Sequence, residues 1–156
     1  MLFRSANEIK RLENQFANRK PEALANTRRS WEVQVRNLQK MREAGVRVVL
    51  GSDSAGDPSR TMGWHAIWEV DSLVKAGMKP SDVIVASTRF AAETLKLDQL
   101  GMVAPGKSAD FVVLNANPLE NIANSRKIKM VYLRGQEVDR AALRARWQAR
   151  WKRAAR

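Results

Sequence analysis

Residues 44–54 read Ala44-Gly45-Val46-Arg47-Val48-Val49-Leu50-Gly51-Ser52-Asp53-Ser54, and this stretch decides the fold class. Apart from Arg47, residues 46–50 are apolar and mostly β-branched, which is typical of a short buried strand in a parallel sheet. Reacting groups of parallel α/β folds collect where such strands end. Asp53 is therefore a candidate site residue, although local sequence alone also fits a helix cap or a turn.

Helical sequence lies on both sides of this predicted strand. A capping box at Ser5-Ala6-Asn7-Glu8, apolar periodicity and caps at Gly45 and Gly77 mark the helix ends. The predicted helices cover residues 6–19, 21–44, 62–76 and 80–95. The order helix, strand, helix predicts the α/β class.

The sequence pattern changes from Asp98 onward, where turn signals and short apolar runs replace the helical periodicity. Strands are predicted over residues 109–114 and 129–133, with a loop between them over 115–124. A tight turn is predicted at 134–136. We therefore expect a small sheet to follow the helical part of the chain.

Several motifs resemble the amidohydrolase superfamily, and the imidazolonepropionase-like branch most closely. They lie in family order at residues 44–54, 74–80, 86–93, 100–114, 116–122 and 131–135. The strongest reads LGMVAPGKSADFVVL over residues 100–114. The resemblance implies the C-terminal fragment of a metal-dependent hydrolase (β/α)8 barrel, namely the last strand and its flanking helices, together with strands of the composite β-sandwich. The implied domains are 1–97 for the barrel, 98–139 for the sandwich strands and 140–156 for a basic helix.

The resemblance also implies a chemistry. It predicts hydrolysis of a C–N bond in a non-peptide or dipeptide-like small molecule, with Asp53 as both metal ligand and proton shuttle. A metal lowers the pKa of bound water toward ~7, and a nearby carboxylate can then take its proton. The implied cofactor is a divalent metal, zinc by expectation, in the complete enzyme. The implied partners are the missing N-terminal barrel portion or further copies of the chain.

The chain departs from the family in its metal ligands and in its length. Most family ligands are His residues on earlier strands, whereas this chain has one His and no Cys. A complete barrel needs about 250 residues, and this chain has 156. We therefore expect that the chain alone cannot bind the metal and is inactive, as a truncated, split or degenerate form of the enzyme.

Two further residues are weaker candidates for substrate contact. His65 and Glu69 form an i, i+4 pair that fits half of a metal site or a substrate contact, and a surface His at a helix start is the other interpretation. Arg60 offers a bidentate fork to a substrate carboxylate, and a solvated loop Arg is its alternative.

The net charge of +12 is confined to the chain ends. Residues 1–47 carry +6, residues 48–139 carry −1 and residues 140–156 carry +7. The last segment predicts a basic amphipathic helix that binds an anionic partner, such as nucleic acid, a membrane or an acidic protein groove, or packs its two Trp on its own domain. No nucleic-acid-binding motif accompanies it, so neither nucleic acid nor a membrane is a favoured partner of the enzyme, whereas a non-enzymatic basic binding module remains the alternative function. With no signal-peptide pattern at the N-terminus, the default expectation is a cytoplasmic location.

Overall fold

A computed structural model gives the fold and describes residues 14, 17–52 and 64–154. Over these residues the chain mixes helices with one three-stranded sheet, which agrees with the α/β prediction in its mixed content and not in a parallel sheet. The predicted helix over residues 6–19 falls almost entirely outside the described residues, as do Asp53 and Arg60. None of the described helices combines the length and apolar character needed to cross a bilayer.

The chain divides into two compact units, Met1–Ser87 and Thr88–Arg156. Helix α1 of the first unit spans Pro21–Glu43 and begins with proline, whose fixed φ suits the first helical turn. Gly45 ends it in the left-handed region with φ +78°. Its N–H donates to the Arg42 carbonyl at 3.0 Å, and the Val46 N–H donates to that of Met41 at 2.9 Å, which together form a Schellman motif.

Helix α2 spans Trp64–Lys75 and helix α3 spans Pro80–Ser87. Gly77, with φ +94°, ends α2 in the same way as Gly45 ends α1. The buried side chains of this unit lie at the α2–α3 junction and in α3: Ala76, Met78, Val83 and Ala86. An ion pair of 2.9 Å between Arg42 and Asp82 joins the end of α1 to α3.

Residues 46–50 do not form a strand, which corrects the prediction made from their apolar character. Val46 is 52% exposed rather than buried. The Leu50 N–H donates to the Ala86 carbonyl on α3 at 3.3 Å, not to a neighbouring strand. The reason is non-local: a parallel strand needs neighbours for its ladder, and no strand exists among the described residues of this unit.

The predicted helix over 80–95 is also interrupted. Thr88 has φ −125° and ψ −85°, so the helix ends at Ser87 and α4 spans Arg89–Thr94. The Ser87 hydroxyl donates to the Val83 carbonyl at 2.6 Å, a side-chain bond that competes with helix continuation.

The sheet of the second unit is antiparallel, in the order β1-β2-β3. Its strands are β1 Phe111–Leu114, β2 Ile128–Leu133 and β3 Gln136–Glu137. Phe111 pairs with Tyr132, and their rings stack with centroids 4.7 Å apart. The predicted tight turn is confirmed: Arg134 and Gly135 both have positive φ, which is the backbone of a two-residue hairpin turn.

Two helices complete the second unit. A 3₁₀ helix, Ile122–Arg126, occupies the end of the predicted loop, and the Asn121 side chain caps it by accepting from the Ala123 N–H at 2.9 Å. The predicted basic helix is α5, Arg140–Ala154. Asp139 caps it by accepting from the Ala142 N–H at 2.9 Å.

Candidate functional site

A hydrogen bond joins helix α2 to the carboxyl end of residues 46–52, which we call segment 46–52. The backbone N–H of Gly51 donates to Oε1 of Glu69 at 3.1 Å. A cavity of about 420 Å³ opens beside this contact. Its wall combines the end of the segment with apolar and polar side chains of α1 and α2: Trp31, Gln34, Val35, Leu38, Gly51, Ser52, His65, Trp68, Glu69, Ser72, Leu73 and Ala76.

His65 is the second residue of α2 and lies half-buried in this wall. Its ring packs edge-on against Trp68 with centroids 5.3 Å apart. Nδ1 of His65 and Oε2 of Glu69 are both buried, and neither has a hydrogen-bond partner in the described part of the chain. Because buried polar atoms are almost always satisfied, these two atoms mark a place where a further donor or acceptor belongs.

Of the three predicted site residues, only His65 is described, and the structure places it with Glu69 in the wall of one cavity. Asp53 and Arg60 follow the cavity-lining Ser52 in the chain, outside the described residues. The contact that the sequence did not reveal is the bond from Gly51 to Glu69. The sequence feature that involves Glu69 is its i, i+4 spacing from His65. This spacing predicts a contact with a metal or a substrate, not a hydrogen bond to a backbone amide.

The described residues do not fit a complete metal site. Over residues 14, 17–52 and 64–154, no group of three or more His, Cys, Asp or Glu side chains could hold a metal ion. His65 and Glu69 are therefore at most two donors, whereas zinc sites in proteins use three or four.

The strongest motif, LGMVAPGKSADFVVL, serves the second unit's fold. Asp110 Oδ1 accepts the Arg134 N–H at 2.7 Å, which pins the hairpin turn. Hydrogen bonding from the Ser108 side chain, followed by that from the Arg134 amide, lowers the pKa of the Asp110 carboxyl below its ordinary value. Lys107 Nζ donates to the Asp98 carbonyl and closes the preceding loop. The motif is thus structural.

Known proteins match this chain over most of its length. The model of the amidohydrolase family matches residues 1–138. Adenine deaminase of Desulfitobacterium hafniense (strain Y51) is 34% identical over 76 residues, which are 49% of this chain and 12% of the deaminase.

Two solved structures share the fold at higher coverage of this chain. Molinate hydrolase is 34% identical with a TM-score of 0.58 over 64% of this chain and 25% of its own. Phenylurea hydrolase B is 41% identical with a TM-score of 0.51 over 55% of this chain and 19% of its own. The chain thus spans a quarter or less of the length of each of these three proteins. Their names agree with the predicted enzyme class, and the chain belongs to the amidohydrolase family.

Proposed function

We propose that this chain supplies the last strand, the flanking helices and the C-terminal strands of a (β/α)8 hydrolase that cleaves a C–N bond in a small molecule. The observation that carries the proposal is segment 46–52. It lies between two helices, has no strand partner among the described residues, and ends at a cavity with two unsatisfied polar atoms. The names of the relatives, a deaminase and two hydrolases, support the reaction class.

In this proposal Asp53 is the catalytic carboxylate. Its carboxylate accepts a proton from the attacking water and passes that proton to the leaving nitrogen as the C–N bond breaks. A divalent metal, zinc by expectation, belongs to the complete enzyme, and the remainder of the barrel holds its other ligands. Segment 46–50 then gains the two neighbouring strands that it lacks here.

Complementation tests this proposal. The chain is co-expressed with the first seven strands of the barrel, taken from the reading frame upstream or from a relative, and assayed on a panel of amides, ureas and aminopurines. We expect turnover only from the assembled pair. Asp53→Asn should lower kcat by about 10²–10⁴-fold, as expected for loss of a general base.

The matched control is Asp57→Asn, which removes the same charge from a nearby position in the sequence and should leave turnover within about twofold. Equal loss in both variants, or full turnover of Asp53→Asn, would remove Asp53 from the mechanism. Thermal melts of both assemblies establish that the comparison is made between folded proteins.

Helix α5 favours a second function, the binding of an anionic partner. It begins after residue 138, where the family match ends. The described side chains of residues 140–150 are all exposed, Trp147 at 64%, and residues 140–156 carry no acidic group.

A salt titration tests this second function with matched variants. Binding to single-stranded DNA and to anionic vesicles is measured for the chain, for an α5 triple variant (Arg144→Gln, Arg146→Gln, Arg150→Gln) and for an α1 triple variant (Arg28→Gln, Arg29→Gln, Arg36→Gln). Both triple variants lose the same charge. Salt-sensitive binding that only the α5 variant loses supports the function, whereas equal loss in both variants indicates a non-specific effect of net charge.

A further inference from the structure

The backbone just before Ser52 is held at two successive amides by two different helices. The Leu50 N–H donates to the Ala86 carbonyl of α3 at 3.3 Å. The Gly51 N–H donates to Glu69 Oε1 of α2 at 3.1 Å. With both amides engaged, the peptide planes that lead into Ser52 have a fixed orientation.

The second of these bonds is unusual because a side chain makes it. Glu69 lies 18 residues from Gly51 in sequence, so the contact joins separate elements. A carboxylate that accepts from a backbone amide forms a charge-assisted bond, which is stronger than a neutral one. Helix α2, which carries Glu69, is itself anchored, since Ala76 and Met78 at its end are each only 4% exposed.

We propose that Glu69 is the positioning residue that fixes the carboxyl end of segment 46–52, two residues before Asp53 in the chain. This inference rests on the proposed function for the role of Asp53. The structural part, a carboxylate that clamps the Gly51 amide, stands on the observed contact alone. Because catalytic groups tolerate only about 0.5 Å of misplacement, a clamp two residues before Asp53 has a direct consequence for rate.

The length of the Glu69 side chain is decisive for this role. Glu69→Asp keeps the charge but withdraws the carboxylate by one methylene, about 1.5 Å. Glu69→Gln loses the charge but keeps an oxygen acceptor at the same distance. If Glu69 acts as a clamp, its hydrogen bond to the Gly51 amide should survive in Glu69→Gln and be lost in Glu69→Asp. If Glu69 acts only through its negative charge, the opposite result is expected.

Hydrogen exchange of glycine amides in the 156-residue chain separates these outcomes. The chain contains 8 glycines, so glycine-selective ¹⁵N labelling gives a spectrum that can be assigned completely. Gly77 and Gly135 are internal controls, because their N–H groups donate to the Val74 carbonyl at 2.9 Å and the Ala109 carbonyl at 3.0 Å. Neither bond involves Glu69, and Gly77 reports whether α2 remains folded.

We expect the Gly51 amide to exchange about tenfold faster or more in Glu69→Asp and Glu69→Ala, and less than about fivefold faster in Glu69→Gln, which keeps the acceptor but loses the charge assistance. Gly77 and Gly135 should be unchanged throughout. The proposal is overturned if Gly51 exchanges at the same rate in all variants, if Gly77 accelerates together with it, or if the parental Gly51 is unprotected. The measurement needs neither metal nor turnover, so its result is independent of the complementation assay.

Discussion

The apolar, β-branched segments of the two compact units differ in their hydrogen-bond partners. In the second unit, the two-residue turn at Arg134 and Gly135 pairs β2 with β3, and β2 also pairs with β1 through the register Val112↔Val131. In the first unit, segment 46–50 has similar β-branched sequence but no ladder among the described residues. The Leu50 N–H of this segment donates instead to the Ala86 carbonyl of helix α3.

The difference shows that an antiparallel hairpin is encoded locally, whereas a parallel strand is not. Two residues close a hairpin, but parallel neighbours need a long crossover connection. We therefore expect that substitutions in the second unit change the stability of this chain itself. If the proposed barrel assembly is right, substitutions in segment 46–50 should become costly only when its neighbouring strands are supplied.

The largest expected effect in the second unit is that of Gly101→Ala. Gly101 has φ +88°, and an added Cβ would lie 2.7 Å from the Ala92 Cβ and 3.0 Å from the Thr88 carbonyl oxygen. We expect a loss of about 2–5 kcal/mol, the sum of the left-handed backbone cost and overpacking. Native-state hydrogen exchange of the slowest amides of the second unit measures this loss.

Gly106→Ala is the control, because Gly106 has φ +78° but no atom within 4 Å of an added Cβ. Its expected cost is the backbone cost alone, about 1–2 kcal/mol. If the two substitutions proved equally costly, the close approach at Gly101 would not contribute to the stability of the unit.

A smaller effect tests the comparison of the two units directly, by the same substitution in each. Val131→Ala removes a half-buried side chain from the β1–β2 ladder and should cost about 1 kcal/mol. Val46→Ala changes a side chain that is 52% exposed and should cost less than about 0.5 kcal/mol. Urea unfolding of both variants measures the difference, and equal costs would mean that segment 46–50 is already packed.

The smallest effect concerns the Asp110 carboxylate. Its folded pKa is lowered, so its contribution to stability is fully present above the ordinary pKa of 3.8 and is lost as the pH falls through the folded value. We expect Asp110→Asn to melt below the parent chain at pH 7 and pH 5, and the gap in melting temperature to narrow as the pH falls below 3.8. A gap that stays unchanged on acidification would mean that the ionised form adds nothing to the hairpin.

Features set by neighbouring residues could be predicted from the sequence. Gly45 and Gly77 end their helices as expected, because the left-handed cap is a local requirement of the backbone. The hairpin turn at residues 134–136 followed from the same kind of signal. The family, too, followed from short motifs in register, and the match over residues 1–138 confirms it.

Features set by distant or competing groups could not be predicted. The periodicity of apolar residues does not reveal that the Ser87 hydroxyl donates to the Val83 carbonyl where the helix ends before Thr88. The bond from Gly51 to Glu69 joins residues 18 apart, and nothing in either residue's own neighbourhood requires it. The roles of Asp53 and Arg60 remain predictions, because these residues lie outside the described part of the chain.

In the proposed assembly, helix α1 links the stability of this chain to the abundance of the remaining barrel portion. Its 23 residues include none that is buried, while Leu24, Trp31, Val33 and Met41 are exposed apolar side chains. A partner that covers them stabilises the folded state by mass action, by about 2.7 kcal/mol at a concentration one hundred times its Kd. The melting temperature should therefore rise with the logarithm of partner concentration, and excess unpartnered chain should be the fraction that proteases remove first.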